Sequence, residues 1–248
     1  MTVHVITTVF CNARVFAAGM QELNDERLAV GARHHVLWQH YPLAWDQPLM
    51  SVYADAVGSV DRVSFYDQGR NLGLHDGLQY LVDQINPADD VMVIGFDPDE
   101  EPLRAGWMQA MADVMAADPK CGWLSLMSPP AKEYMERNGY DAKHVAGHHL
   151  WVPGYSLINT VCAWRGNALK AMGRFNEPHR YYGGFEGAMM PPTMAAGFWI
   201  GWLRDYGVAP LHALHDAEYT LYKRHHVGFQ QPMFPGSFAD WLISRGVK

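Results

Sequence analysis

Through the first half of the chain, short continuous apolar runs alternate with longer stretches in which apolar residues recur at helical spacing. Val3 to Phe10 predicts a buried first strand, and the stretch from about Arg14 to Val30 a helix. His35 to Trp38 and Arg62 to Tyr66 predict a second and a third strand. Leu74, Leu78, Leu81, Val82 and Ile85 line one face of a predicted helix over Leu72 to Ile85. Asp90 to Phe96 is the clearest strand, followed by an acidic loop, a predicted helix from about Pro102 to Ala117 and a strand at Gly122 to Leu126. Strand and helix in alternation predict an α/β fold with a mostly parallel central sheet and helices on both faces.

The second half is less regular. Residues 128 to 153 hold Pro129-Pro130 and several His and Gly, and read as a long excursion. Tyr155 to Trp164 predicts a strand and Gly166 to Gly173 a short helix. The Gly-rich turn Tyr181 to Glu186 leads into a helix ending near Gly197. Phe198 to Leu203 and Val208 to Leu214 predict two further strands, and a tail begins near Gly228. No composition shift marks a linker, so the expectation is one domain over residues 1–248.

Composition narrows the classes. A net charge of −7 argues against holding nucleic acid by bulk charge. Three widely spaced cysteines, Cys11, Cys121 and Cys162, make no disulfide framework or zinc clamp. The first residues lack a signal-peptide layout, and the longest apolar stretch, Met189 to Leu203, is broken by Pro191-Pro192 and glycines. The expectation is a cytoplasmic protein with no transmembrane segment.

The chemistry concentrates at Asp97-Pro98-Asp99, with Glu100 and Glu101 behind it. Two carboxylates one residue apart at a strand end offer hard oxygen ligands that suit Mg²⁺ or Mn²⁺. In sheets of this kind ligands bind beyond the carboxyl ends of the strands. The same acidic run also reads as a turn capping a helix that begins near Leu103. His144, His148 and His149 invite a zinc reading, but their context is poor for a helix, with Gly139, Gly147 and Pro153 nearby. Phosphate-loop, dinucleotide-fingerprint and Gly-x-Ser-x-Gly motifs are all missing.

The run Asp90 to Glu101 resembles the Asp-x-Asp strand of GT-A glycosyltransferases, particularly the family 2 type. Arg70-Asn71-Leu72-Gly73 resembles that family's Asn-x-Gly segment. Cys162 to Glu177, with Arg165 before a short helix and then Gly173-Arg174-Phe175-Asn176-Glu177, is similar to its acceptor-side signature. The matches cover roughly residues 1 to 215 in the family's order. Two departures stand out: Thr8 to Asn12 replaces the usual Pro-x-x-Asn, and His40-Tyr41-Pro42 replaces the Asp-Asp-Gly-Ser turn.

The resemblance implies a nucleotide-sugar-binding half at 1–127, an acceptor-side half at 128–227 and a tail at 228–248. It implies a nucleoside diphosphate sugar donor, UDP-sugar favoured, against Thr8, Phe10, Asn12, Asp67, Arg70 and Asp97. A Mn²⁺ or Mg²⁺ ion would lie on Asp97 and Asp99, with His215 or His212 as an extra ligand. Glu186 would be the general base of an inverting transfer to an acceptor hydroxyl. A retaining enzyme would give Glu186 another task. The alternatives are a nucleotidyltransferase, a degenerate GT-A domain that only binds carbohydrate, and a phage-type DNA-modifying sugar transferase. Nucleic acid as acceptor gains no support from the acidic charge.

Overall fold

The computed structural model describes residues 1–39, 47–128, 132–133, 136–137, 142–152, 161–175 and 185–211. The elements are β1 (Val3–Val9), α1 (Ala13–Ala29), β2 (Arg33–Trp38), α2 (Leu49–Val57), β3 (Val63–Asp67), α3 (Leu74–Ile85), β4 (Met92–Phe96) and β5 (Glu100–Pro102). They continue with α4 (Trp107–Ala117), β6 (Cys121–Met127), β7 (Ala142–Val145), β8 (His148–Trp151), β9 (Val161–Arg165), α5 (Gly166–Met172), α6 (Phe185–Ala195) and β10 (Trp199–Pro210).

The strand order is β3-β2-β1-β4-β9-β6-β10-β8-β7, with β5 attached to β10. The first four strands of that path run parallel, as do β6 and β10. The antiparallel insertion is β9, between β4 and β6. The mostly parallel, two-faced α/β sheet predicted from the alternation is therefore what forms. Among the described residues no helix is long and apolar enough to cross a membrane.

Alternation along each strand divides the core. Val5, Val9, Val36, Ile94 and Phe96 face α1, α2 and α4, where they pack on Phe16, Met20, Tyr53, Trp107 and Met111. Ile6, Leu37, Val93, Trp123 and Trp164 face α3, α5 and α6 and meet Leu78, Leu81, Leu169 and Met189. Side chains of successive strand residues point to opposite faces, so near-continuous apolar runs are what a sheet covered on both sides requires. Gly95 is the exception on β4. A Cβ there would stand 2.9 Å from the Trp164 ring, which fills the space.

Three segments differ from the reading of the sequence. The helix expected from Pro102 begins only at Trp107, because Glu100 to Pro102 pair antiparallel with Val208 to Pro210 and Gly106 turns left-handed at φ +84°. The acidic loop therefore does not cap that helix. Glu26 of α1 does so instead, its carboxylate accepting from the Gly106 and Met108 N–H groups at 2.5 and 3.2 Å. The two late strands are one, β10, with a register shift between Trp202 and Gly207 that lets Arg204, Asp205 and Tyr206 bulge. Within the excursion of 128 to 153, β7 and β8 form a hairpin that extends the sheet. A further helix, α2, forms where no element was expected, although Leu49, Val52, Tyr53 and Val57 carry helical spacing after Pro48.

Polar side chains enter the core in bonded rows. Thr7 Oγ1 lies 2.9 Å from His34 Nε2, and His34 Nδ1 lies 3.0 Å from the Tyr53 hydroxyl. On the other face His4 Nδ1 meets His35 Nε2 at 2.9 Å, and His35 Nδ1 meets the Tyr66 hydroxyl at 3.0 Å.

Burial pushes His34 well below its ordinary pKa, helped by Arg27 and His35. Burial, then His4 and Arg33, push His35 down to about 4, and burial alone does the same to His75. Between about pH 6.5 and 4 the unfolded chain binds a proton on each of these rings and the folded chain does not. Stability should therefore fall as pH drops through that window, by up to about 1.4 kcal/mol per pH unit for each ring. Urea melts at pH 7.5, 6 and 5 read this directly. Equal midpoints at all three would contradict neutral burial of these histidines.

Candidate nucleotide and metal site

The carboxyl ends of β3, β2, β1 and β4 form one edge. Asp67, Trp38 and Val9 stand in one register row. Ile6 pairs with Gly95, so Val9 is level with Pro98. From Asp67 to the Asp97-Pro98-Asp99 turn the edge spans three strand spacings, about 14 Å.

The turn is held from three directions. Within it, the Glu100 N–H donates to the Asp97 carbonyl at 3.2 Å. From below, α1 presents Gly19, where a Cβ would lie only 2.0 Å from the Pro98 carbonyl oxygen. From the side, the Leu211 N–H donates to the Asp99 carbonyl at 2.7 Å and the Leu103 N–H to Gly207 at 2.9 Å. Asp97 is half-buried, while Asp99 and Glu100 are buried at 5% and 7% exposure. Leu211 is the last described residue before His212, and both His212 and His215 lie outside the described residues.

At the other end of the edge an open cleft of about 530 Å³ is lined by Trp38, Pro48, Leu49, Phe65, Tyr66 and Asp67, among others. Aromatic rings, aliphatic surface and one carboxylate are the usual ingredients of a site for a flat heterocycle. Asp67 Oδ1 accepts the Gly69 N–H at 2.7 Å, which shapes the loop after β3. Arg70 is exposed on that loop.

Gln39, one residue past β2, governs the Asn-x-Gly segment, and no sequence motif points to it. It is 1% exposed. Its Nε2 donates to the Gly73 carbonyl at 2.9 Å and its Oε1 accepts the Leu72 N–H at 2.8 Å. Asn71 Oδ1 accepts from the Gly73 N–H at 2.7 Å, closing the turn. Gly77 of α3 makes room for the clamp, since a Cβ there would stand 2.2 Å from Gln39 Nε2. Only the rule that ligands gather at strand ends marks this position in the sequence.

The remaining expected residues divide. Thr8 is buried against α3, its methyl 3.1 Å from where a Gly77 Cβ would stand. Phe10 packs half-buried on the α1 side of the core. Asn12 caps α1, accepting the Val15 N–H at 2.9 Å. Glu186 is the second residue of α6, and its side chain is outside the described part. The far end of α6 leads into Trp199, whose N–H donates to the Lys120 carbonyl just before β6, at 2.8 Å. An eleven-residue helix is about 16 Å long, so its N-terminal turn lies well away from that amino end.

The segment resembling an acceptor-side signature holds the framework. Arg165 is 6% exposed. Its guanidinium donates to the backbone carbonyls of Cys121, Met115 and Asp118, where α4 ends and β6 begins. A cation at a helix C-terminus suits both the free carbonyls and the dipole. Gly166 is obligatory, because a Cβ would stand 1.9 Å from the Ala88 carbonyl. Phe175 meets Trp164 edge-on at 5.4 Å, and its N–H donates to Gln79 Oε1 at 2.9 Å.

No known family model matches the sequence, and no curated protein does. Solved structures do match. A mannosyltransferase, PcManGT from Pyrobaculum calidifontis in complex with GDP-Man and Mn²⁺, superposes with a TM-score of 0.56 at 13% identity, over 80% of this chain and 53% of that one. GalNAc-T7 with UDP, GalNAc and Mn²⁺ gives 0.62 at 9% identity, over 97% and 47%. S. aureus TarS 1-349 gives 0.54 at 14% identity, over 84% and 59%. All three are GT-A-type glycosyltransferases. The chain has the GT-A fold. It spans about half the length of each of these GT-A chains.

Substituting Gly19→Ala tests the seating of the turn. Alanine would gain about 1 kcal/mol of helix propensity. The overlap is with backbone, which no rotamer relieves, so a net loss of ~1–3 kcal/mol is expected. A chemical melt measures it; a more stable variant would show that α1 does not press on Pro98. Gln39→Ala should cost ~1–3 kcal/mol through two lost buried hydrogen bonds, and amide exchange at Leu72 and Gly73 should quicken.

Proposed function

We propose that this chain is a glycosyltransferase that moves a sugar from a nucleoside diphosphate sugar to an acceptor hydroxyl with the help of a divalent cation. The observation that carries the reading is the Asp97-Pro98-Asp99 turn, seated on Gly19 and tied to Leu211 at the same edge as the aromatic cleft. The GT-A fold supports it, as does the Mn²⁺ present with PcManGT and with GalNAc-T7.

The donor set fits a hard cation. Among the described residues no three His, Cys, Asp or Glu side chains enclose a metal. Asp97 and Asp99 would offer two carboxylates to an ion that keeps water and phosphate oxygens as its other ligands. His212 comes directly after Leu211, whose N–H is bonded to Asp99, so His212 or His215 is within short chain reach as a further ligand. When bound, the cation would offset the negative charge that grows on the diphosphate leaving group.

The protein's own residues supply the rest. Trp38 and Phe65 would flank the base with Asp67 beside them, and Arg70, exposed on the loop after β3, would serve the same donor. Thr8, Phe10 and Asn12 shape the edge between base and diphosphate rather than reach far into it. In an inverting transfer, Glu186 takes the acceptor proton as that oxygen attacks the anomeric carbon, and the bond to the diphosphate oxygen breaks. The carboxylate in the first turn of α6 favours this assignment. A UDP-sugar is the first donor to try.

Thermal shift with UDP, GDP, CDP and ADP, each with Mn²⁺ or EDTA, tests the donor site. One nucleotide should stabilise the chain by mass action, and EDTA should remove the effect. Asp99→Asn should lose turnover and the metal-dependent shift while keeping its melting temperature without ligand. Full activity of that variant in saturating Mn²⁺ would refute the metal assignment. Glu186→Gln should keep the nucleotide shift and lose about 10²–10⁴ in kcat; unchanged kcat would remove Glu186 from the chemistry.

A further inference from the structure

The hairpin β7–β8 closes the far end of the sheet path, past β10. Its turn, Ala146-Gly147, has both residues left-handed, at φ +52° and +83°, as a tight two-residue hairpin turn requires. Ala146 adopts that conformation at a cost glycine would not incur. One face of the hairpin is anchored: Lys143 Nζ lies 2.5 Å from Asp118 Oδ2 and 4.0 Å from the centre of the Trp199 ring. His148 also points that way, its Nε2 3.7 Å from Asp113 Oδ2.

The other face carries two histidines, His144 and His149. They are direct cross-strand partners, with ring centroids 4.9 Å apart. The sequence spacing suggests His144 with His148 on a helix. The hairpin separates those two onto opposite faces and brings His149 to His144 instead. The bulge in β10 delivers a third group, Asp205, whose Oδ2 is 3.5 Å from His149 Nδ1. A carboxylate on one ring nitrogen fixes the tautomer and leaves the other nitrogen as a ligand.

We propose that His144 and His149 form a two-imidazole site for a divalent transition cation of the zinc, copper or nickel kind, with Asp205 orienting His149. Two adjacent rings can both reach one ion at the usual metal–nitrogen length of about 2.0–2.1 Å. Two imidazoles leave the remaining positions of such an ion to water or an external ligand. Imidazole nitrogen selects these cations over Mg²⁺, whereas the Asp97 and Asp99 carboxylates suit harder ions. The site is thus chemically distinct from the one at the sheet edge and does not depend on the proposed transfer activity. Bound metal would join both strands of a hairpin, a unit of marginal stability by itself.

The test is a thermal-shift and calorimetric titration of the tag-free chain with Zn²⁺, Ni²⁺, Mn²⁺ and Mg²⁺. Wild type is compared with Asp99→Asn, His144→Asn, His149→Asn and Asp205→Asn. At ten times Kd, Zn²⁺ should raise Tm by about 3–6 °C. The rise should persist in Asp99→Asn and vanish in either histidine variant, both of which alter residues outside the core and should melt like wild type without metal. Asp205→Asn should weaken zinc binding about 10- to 100-fold. Absence of any Zn²⁺ or Ni²⁺ binding, an undiminished shift in both histidine variants, or loss of the shift in Asp99→Asn would each overturn the proposal.

Discussion

Gly19 lets the backbone of α1 come against the Pro98 carbonyl, and the layout of the candidate site depends on that contact. β4 is a central strand, paired with β1 on one side and β9 on the other, so its end is fixed by the sheet. Beyond Phe96 the chain enters a turn with two aspartates that strand pairing no longer controls. α1 supports this turn from beneath, and the Leu211 N–H draws the end of β10 to it from the side. The frame that holds the turn is backbone against backbone. That is stiffer than any arrangement of flexible side chains.

The same economy appears at the other end of the edge. Gln39 is a neutral, fully buried side chain whose two polar ends are both bonded to one short loop. Leaving either end unbonded in the core would cost more than the bond itself contributes. The amide therefore specifies the path of residues 71–73 and with it where Arg70 leaves the surface. Gly77 and Gly19 play matching parts on opposite faces of the sheet, each removing a Cβ where a polar group must approach a helix closely.

Arg165, Gly166 and Phe175 show how a recurring pattern can be carried by framework rather than chemistry. The arginine binds three backbone carbonyls, the glycine admits the Ala88 carbonyl, and the phenylalanine closes over Trp164. Together they join α5, the end of α4 and the antiparallel strand β9 into one unit. That unit flanks β4 on the side away from the cleft.

The sequence by itself determined the layered α/β architecture. A strand buried on both faces must be apolar at nearly every position, and the runs Val3 to Val9 and Met92 to Phe96 suit little else. It also pointed to Asp97 and Asp99, because two carboxylates one residue apart at the end of such a strand offer hard oxygen ligands where ligands gather. It could not decide which polar residues touch. Asn12 caps α1, and Glu26, eighty residues away in sequence, caps α4 in place of the acidic loop. The joining of the two late strands into β10 came from β6, which pairs with it before the polar bulge at Trp199 to Trp202 and after it at Gly207. The pairing of His144 with His149 came from the register that the two-residue turn at Ala146-Gly147 sets, not from helical spacing. Periodicity reports what one segment buries; only the assembled sheet decides which distant backbone and side-chain groups meet.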